Sequence, residues 1–90
     1  MAGRRPPRSL IEEPGFTAGR EAILPDAKRW DEFWRGVAWA LAQDPAGFDQ
    51  IPEHDLWVIV SESSRRGMPR IRTFYCFDDA HIYLKWVEKV

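Results

Sequence analysis

The run PRIRTFYCFDDAHIYLKWVEKV, from Pro69 to Val90, constrains the fold of this chain most strongly. β-branched and aromatic residues fill two stretches with Asp78 and Asp79 between them, the pattern of two strands joined by a tight turn. Side chains alternate across a strand, so parity sorts each stretch onto two faces. On the second strand Ile82, Leu84 and Trp86 share one face, and His81, Tyr83, Lys85 and Lys89 share the other. On the first, Ile71, Thr73, Tyr75 and Phe77 oppose Arg70, Arg72, Phe74 and Cys76. With the more apolar sides on a common core, the outer surface collects Arg70, Arg72, Lys85, Lys89, His81 and Tyr83. Phe74, Cys76 and Val87 fall on that side as well, so the sorting is imperfect. Such a set can bind phosphate and move protons. An ordinary solvated sheet face carries Lys and Arg too.

The rest of the chain must supply the cover for these strands. Ninety residues with 44% apolar content make one small domain, near the low end of what folds without staples. A single cysteine excludes an internal disulfide, so core packing must suffice, with a partner as the other source of support. Cys76 lies mid-strand beside aromatics and reads as a structural thiol. No apolar run approaches the ~18 residues of a membrane span and there is no secretory h-region, so the expected compartment is the cytoplasm, with no membrane contact. The net charge of −1 rules out a general polycation. Nucleic-acid affinity would have to come from local clusters, which occur at Arg4, Arg5 and Arg8, at Arg65, Arg66, Arg70 and Arg72, and at Lys85 and Lys89.

In chain order, residues 1–8 form a basic, proline-bearing tail with nothing to bury, followed by a folded domain over residues 9–90. Arg8 to Glu12 can form a first strand, ended near Pro14. Pro14 to Leu24 reads as a short helix with Phe16, Arg20, Ile23 and Leu24 near one face, weakened by Gly19. The main helix starts at an Asp26 cap and ends at Asp44-Pro45. Its Trp30, Phe33, Trp34, Val37 and Leu41 follow one apolar stripe and should anchor the core. Trp39 lies nearly opposite that stripe, where it either packs on the short helix or meets a partner. Ala46 to Asp55 reads as a loop, with His54 as a solvated loop histidine. Leu56 to Glu62 is a near-continuous apolar strand, suited to a central position covered on both faces. The linker from Ser63 to Pro69 puts Arg65 and Arg66 beside the arginine face.

There is no glycine-rich phosphate loop, no paired-cysteine zinc spacing and no HExxH, so no metal or cofactor is expected. What remains is the basic face. RNA cleavage through the neighbouring 2′-hydroxyl needs a base, cations around the phosphorane and an acid for the leaving oxygen. Arginine suits the cationic role because its fork pairs with phosphate bidentately, and histidine or tyrosine can transfer protons when held within reach.

The order strand, two helices, three strands resembles the RelE/ParE superfamily of bacterial toxin–antitoxin toxins. Leu10-Ile-Glu-Glu-Pro-Gly-Phe16 is similar to that family's opening strand and entry into its first helix. Ala40-Leu-Ala-Gln-Asp-Pro45 followed by Ile51-Pro52 is similar to the proline-ended loop before its second strand. Arg70-Ile-Arg-Thr-Phe-Tyr75, Asp78-Asp79 and Ile82-Tyr-Leu84 resemble its last hairpin. The resemblance spans about residues 9 to 90 and implies an α+β domain, β-α-α-β-β-β, with helices on one face of a mainly antiparallel sheet. Members include ribosome-dependent mRNA endonucleases and gyrase poisons. The resemblance therefore implies a cytoplasmic toxin that cleaves mRNA. Arg72 falls on that family's third-strand arginine, which contacts the scissile phosphate, and Arg65 and Arg66 fall in its basic loop; the reading of the basic face adds Arg70 and Lys85 as RNA contacts and His81 or Tyr83 in proton transfer. The resemblance also implies a cognate antitoxin protein as partner, to which Trp39 and the basic sheet offer apolar and charged contacts, with ribosome and mRNA as target and self-association as a homodimer left open. Two departures bear on catalysis: the strand from Leu56 to Glu62 has no lysine or arginine, and the sequence ends at Val90 without a Tyr- or His-bearing tail. They keep an alternative open, a non-catalytic binding module on the same fold, either directed at DNA gyrase or serving only as a partner.

Overall fold

The structure is a computed structural model and describes residues 8–61 and 69–90. Strand β1 (Ser9–Glu12) is followed by helix α1 (Pro14–Ile23), helix α2 (Ala27–Gln43) and a 3-10 turn over Pro45–Gly47. Strands β2 (Asp49–Gln50), β3 (Trp57–Ser61), β4 (Ile71–Phe77) and β5 (His81–Lys89) complete the chain. They form one sheet in the order β1-β5-β4-β3-β2, with β1 parallel to β5 and every other pairing antiparallel. The domain is the small α+β fold expected, two helices packed on one face of a mainly antiparallel sheet.

Local chemistry sets the helices. Asp26 caps α2 by accepting from the backbone N–H groups of Lys28 and Arg29 at 3.1 and 3.2 Å, which satisfies donors that a helix start leaves without partners. Pro14 opens α1 at a position where its missing N–H costs nothing. The aromatic stripe of α2 packs inward: Trp30 and Leu41 are buried, with Phe33, Trp34 and Val37 half-buried against them. Trp30 stacks on Trp34 and meets Phe16 of α1 edge-on at 6.2 Å. Beneath them lie Ile59, Ile71, Tyr75, Ile82, Leu84 and Val87. Burying each such side chain contributes roughly 1.5–3 kcal/mol. The Tyr75 hydroxyl donates to the Pro45 carbonyl, tying the end of α2 to the middle of β4.

Gly19 weakens α1 only in isolation. A Cβ built there would lie 2.6 Å from the Val87 carbonyl oxygen, so the missing side chain lets α1 lie against β5.

Parity fails at one point. Phe74 pairs with Trp86 and Tyr75 pairs with Leu84, so Lys85 is an extra residue in β5, a β-bulge. Before it the even residues Ile82 and Leu84 face the helices. After it Val87, opposite Thr73, is buried while Trp86 is half exposed. Trp86 therefore leaves the face it was expected to share with Ile82 and Leu84, Val87 replaces it in the core, and Lys89, opposite Ile71, leaves the basic face. The expectation for β3 is also corrected. Among the described residues it has only the two-residue β2 outside it, and Val60 is 46% exposed on a face that neither α1 nor α2 covers. Among the described residues no helix is long and apolar enough to cross a membrane.

Candidate functional site

The uncovered face of the sheet is where the residues singled out by sequence gather. β4 supplies Arg72, Phe74 and Cys76; β5 supplies His81, Tyr83, Lys85, Trp86 and Glu88; β3 supplies Val58 and Val60; β1 supplies Ile11. Cross-strand register orders them from one end of the sheet to the other.

At the end nearest the β4–β5 turn, Asp78 is the hub. Its Oδ1 accepts from the backbone N–H groups of Ala80 and His81 at 2.8 and 2.7 Å, and its Oδ2 accepts from the Tyr83 hydroxyl at 3.0 Å. These bonds favour the ionised form, so the two backbone donors and then the phenol hold the Asp78 carboxyl below its usual range. The same hydrogen bond raises the Tyr83 phenol, which stays a proton donor and not a base. The His81 Nδ1 lies 3.6 Å from Asp78 Oδ1, and the His81 and Tyr83 rings are 5.9 Å apart. Arg8, assigned by sequence to the basic tail, is fixed here. Its Nε donates to the Asp78 carbonyl at 2.7 Å, and its guanidinium lies 5.4 Å above the Phe77 ring.

In the middle, the Lys85 ammonium pairs with Glu13 at 2.9 Å, and this hydrogen bond raises its pKa. Cys76, opposite Tyr83, is half-buried, and desolvation pushes its thiol up, which favours the protonated form. At the far end Arg72 lies opposite Glu88, with Nη2 3.5 Å from the carboxylate. Its Nε is covered and has no hydrogen-bond partner. Arg70 is exposed at the start of β4. Arg65 and Arg66 lie outside the described residues.

The structure thus brings His81 and Tyr83 together but does not bring Arg72 to them. Arg72 is four residues along β4 from Cys76, the register partner of Tyr83, which at ~3.3 Å per residue is about 13 Å. Between the two ends lie Phe74, Trp86 and Val58, with Ile11 and Val60 beside them. Trp86, Val60 and Ile11 are 50%, 46% and 39% exposed.

Trp39 is 67% exposed, so it does not pack on α1. It is not among the residues packed on the core. His54 is exposed in the β2–β3 loop.

Sequence reasoning passed over the carboxylates that neutralise this face: Asp78, Glu13 and Glu88. The Asp-x-x-His spacing at the turn was a readable sign for Asp78, since a turn aspartate reaches the backbone two residues on. Nothing local marked Glu88, because the bulge places it opposite Arg72. No family model and no curated protein matches this chain.

Proposed function

We propose that the chain works by binding a protein through the uncovered sheet face, as a non-catalytic module on a toxin-like fold. The observation that carries this reading is the pairing of charges there. Lys85 is held by Glu13, Arg72 by Glu88, and Tyr83 by Asp78, with His81 beside the same carboxylate. A face that must attract a polyanion needs uncompensated positive charge. Among the described residues this one has its cations paired with carboxylates, and its exposed area is apolar at Trp86, Val60 and Ile11. Aromatic anchors rimmed by polar groups suit a protein partner. The element order expected from the RelE/ParE resemblance makes a cognate antitoxin the natural partner, with DNA gyrase as the target of an active toxin.

A second reading, endoribonuclease action, is favoured by one feature, the Asp78-His81-Tyr83 cluster. A carboxylate beside an imidazole, with a phenol held as a donor, is an arrangement that can transfer protons.

Induced expression of the wild type, Trp86→Ala and His81→Ala separates the two. Growth arrest that survives His81→Ala, is lost in Trp86→Ala and leaves mRNA intact supports the binding module. Arrest with cut mRNA, abolished by His81→Ala in a folded protein, supports the nuclease.

A further inference from the structure

We propose that the open edge of β3 at Val60 receives an extended segment of a partner protein. That segment lays an aliphatic side chain into the neighbouring cavity and a lysine or arginine against Asp44 and Asp49. The proposal does not rest on the reading of the uncovered sheet face, because it concerns the rim of the sheet.

Strand β2 pairs with β3 through two residues only, Asp49 with Val58 and Gln50 with Trp57. The Ile51 N–H donates to the Leu56 carbonyl at 2.8 Å, so the main-chain groups of Leu56 point toward β2. Main-chain direction alternates along a strand, so those of Val58 and Val60 point the same way. Beyond Val58, β2 has ended, and Gly47 belongs to the 3-10 turn instead of the sheet. Among the described residues, the N–H and C=O of Val60 therefore project past the end of β2 without a strand partner.

A cavity of about 300 Å³ lies in that gap, lined by Gly47, Phe48, Asp49, Val58, Ile59 and Val60. It has room for a valine, leucine or isoleucine side chain. Native sheets usually guard such an edge with a charge, a proline or a bulge. The β3 sequence WVIVS carries none of these.

The rim of the gap is acidic. Asp44 and Asp49 are both exposed, and the Asp44 carboxylate lies so near Gly47 that a Cβ there would be 2.7 Å from its Oδ2. Asp49 itself lines the cavity, and Asp44 reaches it beside Gly47. Open main-chain groups, an apolar cavity and two carboxylates together match strand addition, where main-chain bonds supply affinity and alternate side chains supply selectivity. A cationic residue beside the aliphatic one completes the match.

The test is selection of a displayed random heptapeptide library on the full chain, followed by titration of the enriched peptides. Val60→Pro removes an N–H that no described residue of β2 reaches and leaves the β3–β4 ladder intact, because that N–H points away from β4. The expected result is enrichment of peptides with Lys or Arg within two residues of Val, Leu or Ile. Their binding should weaken about tenfold in Val60→Pro, the worth of one main-chain hydrogen bond. It should weaken up to about fivefold in Asp49→Lys. Amide shifts on binding should centre on Gly47, Phe48 and Val60. Failure to enrich, unchanged binding to both variants, or shifts centred on Phe74 and Trp86 would overturn the proposal. If Val60→Pro does not fold, Asp49→Lys and the shift map decide alone.

Discussion

On the helix-covered face of the sheet, Ile71, Tyr75, Ile82, Leu84 and Val87 are sealed beneath Phe16 and Trp30. On the reverse face their neighbours in sequence, Arg72, Phe74, Cys76, Tyr83 and Trp86, keep access to solvent. The first face is dry and held by shape. The second is a mosaic in which ion pairs frame aromatic and aliphatic surface. One inserted residue, Lys85, decides which side chains belong to which face. It moves one tryptophan out of the core and one valine in. A bulge thus equips the uncovered face with an aromatic residue that strict alternation would have hidden.

The contrast can be broken most forcefully by truncation. Trp30→Ala should cost about 3–5 kcal/mol, a large share of the stability of so small a domain. Denaturant unfolding should show the variant largely unfolded. Trp86→Ala, half exposed already, should cost about 1–2 kcal/mol and leave a cooperative transition. Equal losses would erase the difference between the faces.

Next in size are two glycines with opposite signs. Gly19→Ala meets the Val87 backbone and should destabilise by about 1–3 kcal/mol. Gly36→Ala, with nothing near its Cβ, should stabilise by about 0.5–1 kcal/mol. Thermal melts of the two variants check both signs.

Tyr75→Phe should cost about 1–2 kcal/mol by leaving the Pro45 carbonyl without its donor. Burial raises the Tyr75 pKa above its ordinary value of about 10. The stability linked to this group is therefore fully present below pH ~10 and lost as pH rises toward the folded pKa. Unfolding measured across that alkaline range should show the loss in the wild type and less of it in Tyr75→Phe.

Smallest are the changes on the uncovered face. Arg72→Ala removes an exposed pair with Glu88 and should change stability by less than about 1 kcal/mol. Tyr83→Phe removes one of the bonds that hold the Asp78 carboxyl low, so its pKa, followed by NMR, should rise toward the ordinary range.

Much of the covered face was legible in the sequence. The stripe from Trp30 to Leu41 marked α2 and its buried side, Asp26 marked its start, and Asp78-Asp79 marked the turn between β4 and β5. Arg72, Phe74 and Cys76 were assigned to the outer side by parity, and lie there. What could not be read was anything that depended on register across strands. The extra residue at Lys85 leaves no local mark, so Trp86, Val87 and Lys89 were placed on the wrong faces and Glu88 went unnoticed. The apolar run in β3 suggested cover on both sides, because composition does not say whether a strand has a neighbour or a helix above it. The Gly19 contact likewise exists only once α1 lies on β5. Arg65 and Arg66 fall outside the described residues.

The most direct test of the central claim is a map of mRNA 5′ ends after induced expression in translating bacteria. A face whose described cations are paired with carboxylates around exposed apolar residues should produce no new ends. New 5′ ends on ribosome-bound messages that vanish with His81→Ala would contradict it.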